Sequence, residues 1–340
     1  MKKLLIVWLC IMLIPIAPGL SEAAETHEVP IDLLEEDVSI GAPALPGALT
    51  LPAEHPFSSS LLAAAVLLHG SGPCDRDEAI GQTALFRDLA QFLAAQGIAV
   101  LRYDKRTYVY GSAYTAEDLI ALTVEEESIR DAAAAAELLR ADPRIDPDRI
   151  YLIGHSMGAM IAPRIAQEHP GLFAGIVMLS GTPKTLGDIV LSQNQAIVDS
   201  LPALTKALGQ MQMAGLRQEW DALLNSTAEE AKTKLVFGQP GYYFWEMAQY
   251  DTASILQALN LPVLMINGGR DFQVIDADGI DAWNALDLPE NVRVAYYPEL
   301  NHLLMNSNAP ESARGTVAEY DTPCQLPQEI VDEISCFILN

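Results

Sequence analysis

Ten residues, YLIGHSMGAM at 151–160, constrain this chain more than any other feature. An apolar run ends in Gly154-His155-Ser156-Met157-Gly158, and helical spacing begins at once after it. A strand that turns so sharply into a helix forces the residue at the apex into a strained backbone conformation. The two glycines remove side chains that would collide across the turn. The apex serine is left at a helix N-terminus, where the dipole favours developing negative charge. Ser156 is the candidate nucleophile, provided the rest of the chain supplies a sheet to hold it and a base to activate it.

The sheet is legible as a series of short apolar runs at residues 63–68, 98–103, 150–153, 175–179, 263–267 and 292–296. Their continuous hydrophobicity fits strands buried on both faces, as in a parallel sheet covered by helices. Residues 83–96, 116–141 and 157–169 lie between them with helical spacing, which gives a repeated strand–helix alternation. A polar leader at 24–35 and two shorter strands, 37–40 and 48–52, precede the series. The expected fold is α/β, a doubly wound and mostly parallel sheet. The alternation fails once, over about 70 residues after Gly181, where no convincing strand appears and amphipathic stretches such as 189–201 and 228–236 do. So long a bare loop is uncommon. Residues 182–250 are therefore expected to form a helical cap inserted between core segments 24–181 and 251–340, with a separate partner-binding module as the other reading.

A serine is a weak nucleophile until a base takes its proton, and on a strand–turn–helix elbow the chain order is serine, acid, histidine. Of the six histidines, only His302 follows late enough. It stands in YYPELNHLLM, just after an expected strand, so a loop can carry it over the sheet end. LPVLMINGGRD offers an acid at a strand end, Asp271, which would hold the imidazole in the right tautomer. Asp276, Asp278 and Asp281 follow in what reads as a helix with a solvated acidic face. An oxyanion needs two donors. The N–H of Met157 is one candidate. The N–H of Ser71, in the small-residue exit HGSG after the strand at 63–68, is the other.

The first residues set Lys2 and Lys3 before an apolar run and small residues near Ala23, the pattern of a cleaved signal peptide over 1–23. The run falls short of the roughly 20 apolar residues that span a bilayer. The mature protein is thus expected outside the cytoplasm, with no membrane partner after cleavage. A net charge of −25 argues against nucleic acid and anionic surfaces as partners. No nucleotide loop and no metal-ligand spacing stands in the sequence, so no cofactor and no metal is expected. Cys324 and Cys336 would sit up to about 18 Å apart if 326–338 is a helix, beyond the reach of a disulfide.

Taken together, HGSGPCDRDE, FRDLAQFLAAQGIAVLRYDKRT, GHSMGAMIAPRIA, INGGRDFQV and YPELNHLLM resemble the α/β-hydrolase esterases related to dienelactone hydrolase and to the catalytic domain of prolyl oligopeptidases. The resemblance covers residues 45–340. It implies an α/β-hydrolase fold with a helical cap, a Ser156–His302–Asp271 triad, and carboxylesterase activity on a small-molecule ester with a short acyl chain. The same triad would serve a thioesterase, a peptidase or an acyltransferase. A binding protein of this fold would ordinarily have lost a triad member, and none is lost here. Two departures stand out. Arg106 is followed by Thr107-Tyr108-Val109-Tyr110 where many relatives carry glycine, and Cys74 takes a position beside the oxyanion loop that is often polar. The aromatic run Tyr242-Tyr243-Phe244-Trp245 fits an acyl pocket and an anchor for the cap equally well.

Overall fold

The computed structural model describes residues 33–52 and 61–340. The expected signal peptide lies outside the described residues, as does all of the polar leader except 33–35, which begin the first strand. Eight strands form one sheet: β1 (Leu33–Ile40), β2 (Leu45–Pro52), β3 (Leu62–Leu68), β4 (Ile98–Tyr103), β5 (Ile145–His155), β6 (Gly175–Leu179), β7 (Val263–Gly268) and β8 (Val292–Tyr297). Their spatial order is β1-β2-β4-β3-β5-β6-β7-β8. β2 runs antiparallel to both of its neighbours, and every pair from β4 to β8 is parallel.

The continuous apolar runs are explained by two cores, one on each face. Along β3, Ala63, Ala65 and Leu67 point to one side, and Ala64, Val66 and Leu68 point to the other. The first side is covered by α1 (Leu85–Ala95), through Leu85, Phe86, Leu89 and Leu93, and by the C-terminal helix, through Ile330, Val331, Ile334 and Ile338. The second is covered by α2 (Arg130–Ala141) and α3 (Met157–Glu168). Each large aliphatic side chain so buried contributes roughly 1.5–3 kcal/mol, and both cores are rich in them. Alternation within an all-apolar strand is therefore what clamps the sheet between two helical layers.

The segment between β6 and β7 is largely helical, with α4 (Leu186–Ser200), α5 (Ala203–Leu224) and α6 (Gly241–Met247) before the crossover helix α7 (Thr252–Ala258). Two expectations change here. The helix expected over 228–236 stops at Ala231. The chain then makes a small antiparallel ribbon, Leu235–Val236 with Gln239–Pro240, through Phe237 (φ 54°) and Gly238 (φ 77°). Two successive positive φ angles suit a two-residue hairpin and end a helix. The single helix expected over 116–141 is also broken. Leu122 is extended, Thr123 bonds the Glu126 carboxylate at the start of a new segment, and a π-helical turn over Glu125–Ile129 leads into α2. Threonine favours helix starts over helix interiors.

Candidate active site

The sequence-selected residues gather at the carboxyl end of the parallel strands, where open α/β sheets place their ligand crevices. Ser156 sits between β5 and α3 with φ 54° and ψ −118°, strained for a residue with a side chain. The glycines around it explain how the turn closes. A Cβ on Gly154 would stand 2.4 Å from the Gly158 carbonyl oxygen, and one on Gly158 would stand 2.2 Å from that of Leu68. Real Cβ atoms do not approach so closely, so only glycine lets α3 pass across the end of β3. Met157 is the first residue of α3, and its N–H has no carbonyl one turn back to bond.

Asp271 and His302 meet across the loops that follow β7 and β8. His302 Nδ1 lies 2.7 Å from Asp271 Oδ2, and both residues are buried. The other carboxylate oxygen, Oδ1, accepts the N–H groups of Gln273 and Val274, each at 2.8 Å. Asp271 is thereby held by its own turn and has one oxygen left for the imidazole. The glycines of INGGRD bring the two loops together: a Cβ on Gly268 would lie 2.3 Å from the Leu300 carbonyl oxygen. Asn301 shapes the histidine loop from within, accepting the N–H groups of Leu303 and Met305 on Oδ1. With Nδ1 occupied by the acid, Nε2 is the nitrogen of His302 that can take a proton.

Ser156 joins this pair through its neighbour. The His155 ring lies tilted at 4.8 Å from that of His302, and its Nε2 lies 3.0 Å from the His302 carbonyl oxygen, which also accepts from Ser180 Oγ at 2.7 Å. On the other side His155 Nδ1 faces Glu78 Oε2 at 3.0 Å, and Glu78 Oε1 accepts the Gly70 N–H at 2.7 Å. Burial opposes the Glu78 charge, but His155, His69 and the Gly70 N–H together outweigh it and leave the Glu78 pKa lowered. Burial pulls His155 down, and the Glu78 carboxylate beside it, with the His302 carbonyl and Asp271, outweighs that and leaves it raised. The two form a buried carboxylate–imidazole contact that ties the 70–72 loop, the elbow and the histidine loop to one another.

The loop carrying Ser71 abuts the elbow: a Cβ on Gly70 would lie 3.2 Å from Ser156 Cβ. The Ser71 hydroxyl is buried without a protein partner among the described residues. Cys74 turns its sulfur to the Gly72 carbonyl at 3.5 Å, and burial, with the Glu78 charge adding to it, pushes the thiol up to about 12. It is an unreactive filler of the loop. Cys324 and Cys336 are free thiols as well. No group of three or more His, Cys, Asp or Glu among the described residues is arranged to hold a metal ion.

One expectation about the acids is corrected. Asp278 is buried and not part of a solvated face: its Oδ1 meets Lys184 Nζ at 2.5 Å, and Oδ2 accepts from Ser192. Lys184 and Ser192 belong to the inserted segment, so this clamp fastens its entrance to the loop that bears Asp271. The Gly181 carbonyl just before it is held by Asn267 Nδ2 at 3.0 Å and by Trp283 Nε1 at 3.1 Å. Glu78, His155 and Lys105, which lies beneath the 70–72 loop, are the participants that sequence reasoning passed over. Nothing in the strand exit RYDKRT, which carries Arg102, Asp104 and Arg106 as well, singles out Lys105.

The sequence matches the family described as serine aminopeptidase, S33, over residues 66–309. It is 35% identical to the esterase EstD of Thermotoga maritima over 312 residues, 90% of this chain and 68% of that one. Its fold is similar to that of a Pyrococcus furiosus esterase (TM-score 0.51, 15% identity, 90% of this chain and 91% of that one). It is also similar to that of a Pyrococcus horikoshii acylaminoacyl peptidase (TM-score 0.53, 15% identity, 91% and 42%). The eight-stranded order, the glycine-bounded serine elbow and the family match lead to one assignment: this chain belongs to the serine aminopeptidase S33 family of the α/β-hydrolase superfamily.

Proposed function

We propose that the protein is an exported serine carboxylesterase that hydrolyses small-molecule carboxylic esters with short acyl chains through a covalent acyl-enzyme. The observation that carries this reading is the 2.7 Å contact between Asp271 and His302, set beside a serine held at φ 54° on its elbow. Likeness to an esterase at 35% identity supports the ester class, and the N-terminal pattern of the sequence supports export.

In this mechanism Ser156 Oγ attacks the ester carbonyl carbon and its proton passes to His302 Nε2. The carbonyl π electrons move onto oxygen, and the N–H groups of Met157 and Ser71 receive that oxyanion. Asp271 stabilises the imidazolium without taking its proton. Collapse of the intermediate breaks the bond to the alcohol oxygen, which leaves with the proton from His302. Water then repeats the sequence on the acyl-enzyme, releasing the carboxylic acid and restoring Ser156.

The test is hydrolysis of p-nitrophenyl esters from acetate to laurate by the mature protein, beside Ser156→Ala and beside peptide p-nitroanilides. Turnover highest on the short esters, lost by several orders of magnitude in the variant, is the expected result; removal of a triad nucleophile costs on the order of 10⁶ in kcat. A folded wild type that cleaves only the anilides moves the protein to the peptidases. One that cleaves neither, and whose Ser156 takes no fluorophosphonate label, ends the reading.

A further inference from the structure

Behind the 70–72 loop lies a cation that the reaction as written does not use. Lys105, at the exit of β4, is 1% exposed, and its ammonium donates to the carbonyls of Gly70 at 2.9 Å and Gly72 at 3.0 Å. A trans peptide holds its C=O and the following N–H in one plane, pointing in opposite directions. Fixing the Gly70 carbonyl therefore fixes the direction of the Ser71 N–H, which must point away from Lys105. The second bond stops the loop from rotating as a unit, and Glu78 pins the peptide on the other side of Gly70 by accepting its N–H. A positive charge on the carbonyl also polarises the peptide and strengthens its N–H as a donor.

The chain of contacts continues to the inserted helices. Lys105 Nζ lies 3.6 Å from Glu127 Oε2. Glu127 is the buried member of three consecutive glutamates, and it sits in the π-helical turn that interrupts the helix expected there, a distortion often found at functional sites. Its Oε1 accepts from Thr107 at 2.7 Å and its Oε2 from the Tyr243 hydroxyl at 2.6 Å. Tyr243 belongs to α6, is buried, and also lies 3.4 Å from the sulfur of Met157, the residue that supplies the other proposed oxyanion donor.

We propose that Lys105 is a positioning residue of the oxyanion hole, setting the 70–71 peptide so that the Ser71 N–H faces the reacting oxygen, and that Glu127 and Tyr243 couple this setting to the seating of the inserted helices. Seated helices complete the hole; displaced helices release Glu127 and loosen it. The proposal rests on the esterase reading and deepens it. It also gives the aromatic run at 242–245 a role at the catalytic end, since Tyr243 acts there as an anchor and a sensor and not as a pocket wall.

The experiment compares kcat and KM on p-nitrophenyl butyrate, per active site counted from the acyl burst, for wild type, Lys105→Met, Tyr243→Phe and the double variant. Loss of one oxyanion donor lowers kcat roughly 10²–10³-fold, so Lys105→Met is expected to lose about 100-fold in kcat with KM nearly unchanged. Tyr243→Phe is expected to lose less, about 3- to 10-fold, and the double variant to fall short of the product of the two losses, as coupled residues do. Affinity for phenylboronic acid, which puts an oxygen in the hole, should fall in step with kcat. A wild-type kcat in Lys105→Met, or a loss confined to KM or to the number of burst-competent sites, overturns the proposal. Losses that multiply overturn the coupling. If Lys105→Met does not fold, unchanged kcat and boronic acid affinity in Tyr243→Phe are the overturning result. A wild type that turns over no ester fails the esterase reading itself, an outcome distinct from an active wild type with an indifferent Lys105→Met.

Discussion

Asp271 meets His302 at 2.7 Å and Glu78 meets His155 at 3.0 Å, both pairs are buried, and the two imidazoles lie 4.8 Å apart. The parts are alike and the wiring is not. His302 spends one ring nitrogen on its acid and keeps the other for a proton. His155 spends both, one on Glu78 and the other on the His302 carbonyl. Asp271 uses its second oxygen on the backbone of its own turn, whereas Glu78 uses its second oxygen on Gly70, eight residues earlier in the long connection after β3. A carboxylate beside a histidine is therefore not enough to mark a catalytic base. On the esterase reading the uncommitted nitrogen decides, and the committed pair is a strut.

The sharpest way to break this contrast is to neutralise each acid in turn. Asp271→Asn is expected to lower kcat roughly 10⁴-fold, because the amide leaves the imidazole in the wrong tautomer. Glu78→Gln is expected to lower it far less. Equal losses measured on one short ester would show that both pairs act on the proton, and the distinction between base and strut would fall.

Stability should reverse the order. Removing one member of a buried ion pair costs about 3–5 kcal/mol, so Glu78→Gln is expected to unfold in less urea than Asp271→Asn. The effect carries a pH signature. The Glu78 pKa is lowered, so its contribution is present above the ordinary glutamate value of 4.5 and is lost as pH falls through the folded value. The His155 pKa is raised, so its contribution is present below 6.5 and is lost as pH rises through the folded value. The gap in Tm between wild type and Glu78→Gln should be widest between those two values and narrow on either side. A gap that stays constant with pH would mean that the pair is not ionised.

The smallest effect should come from His155→Gln, whose side-chain amide can still donate to the His302 carbonyl. Its kcat is expected to stay within about tenfold of wild type, well short of the loss that follows removal of a general base. A loss comparable to that of His302→Gln would assign His155 a share of the proton chemistry.

The difference between the pairs also explains what could be read from the sequence. Ser156, Asp271 and His302 each stand at the end of an apolar strand run, and a fixed chain order sorts them, so local pattern and topology select the same residues. Glu78 stands among Asp75 and Asp77 in PCDRDE, and nothing in that string says which acid is buried; its partner, His155, is the last residue of β5. Asp278 escaped for the same reason, since its cation lies at the entrance of the inserted segment. The strands were legible because burial on both faces leaves continuous apolar runs. The breaks at Leu122 and after Ala231 were not, because a single extended residue and a Phe237–Gly238 turn interrupt stretches whose composition suits a helix.

The inserted segment leaves and rejoins the sheet at β6 and β7, which are neighbours and parallel. At its departure point the Gly181 carbonyl is held twice and the Asp278 clamp follows at once. Evolution and the engineer thereby receive an exchangeable part with a fixed socket. On the esterase reading, changes between the clamp and α7 are expected to alter which esters are turned over while the order of the eight strands is kept. Tyr243 on Glu127 and Glu246 on Arg164 are pegs that any replacement module has to reproduce.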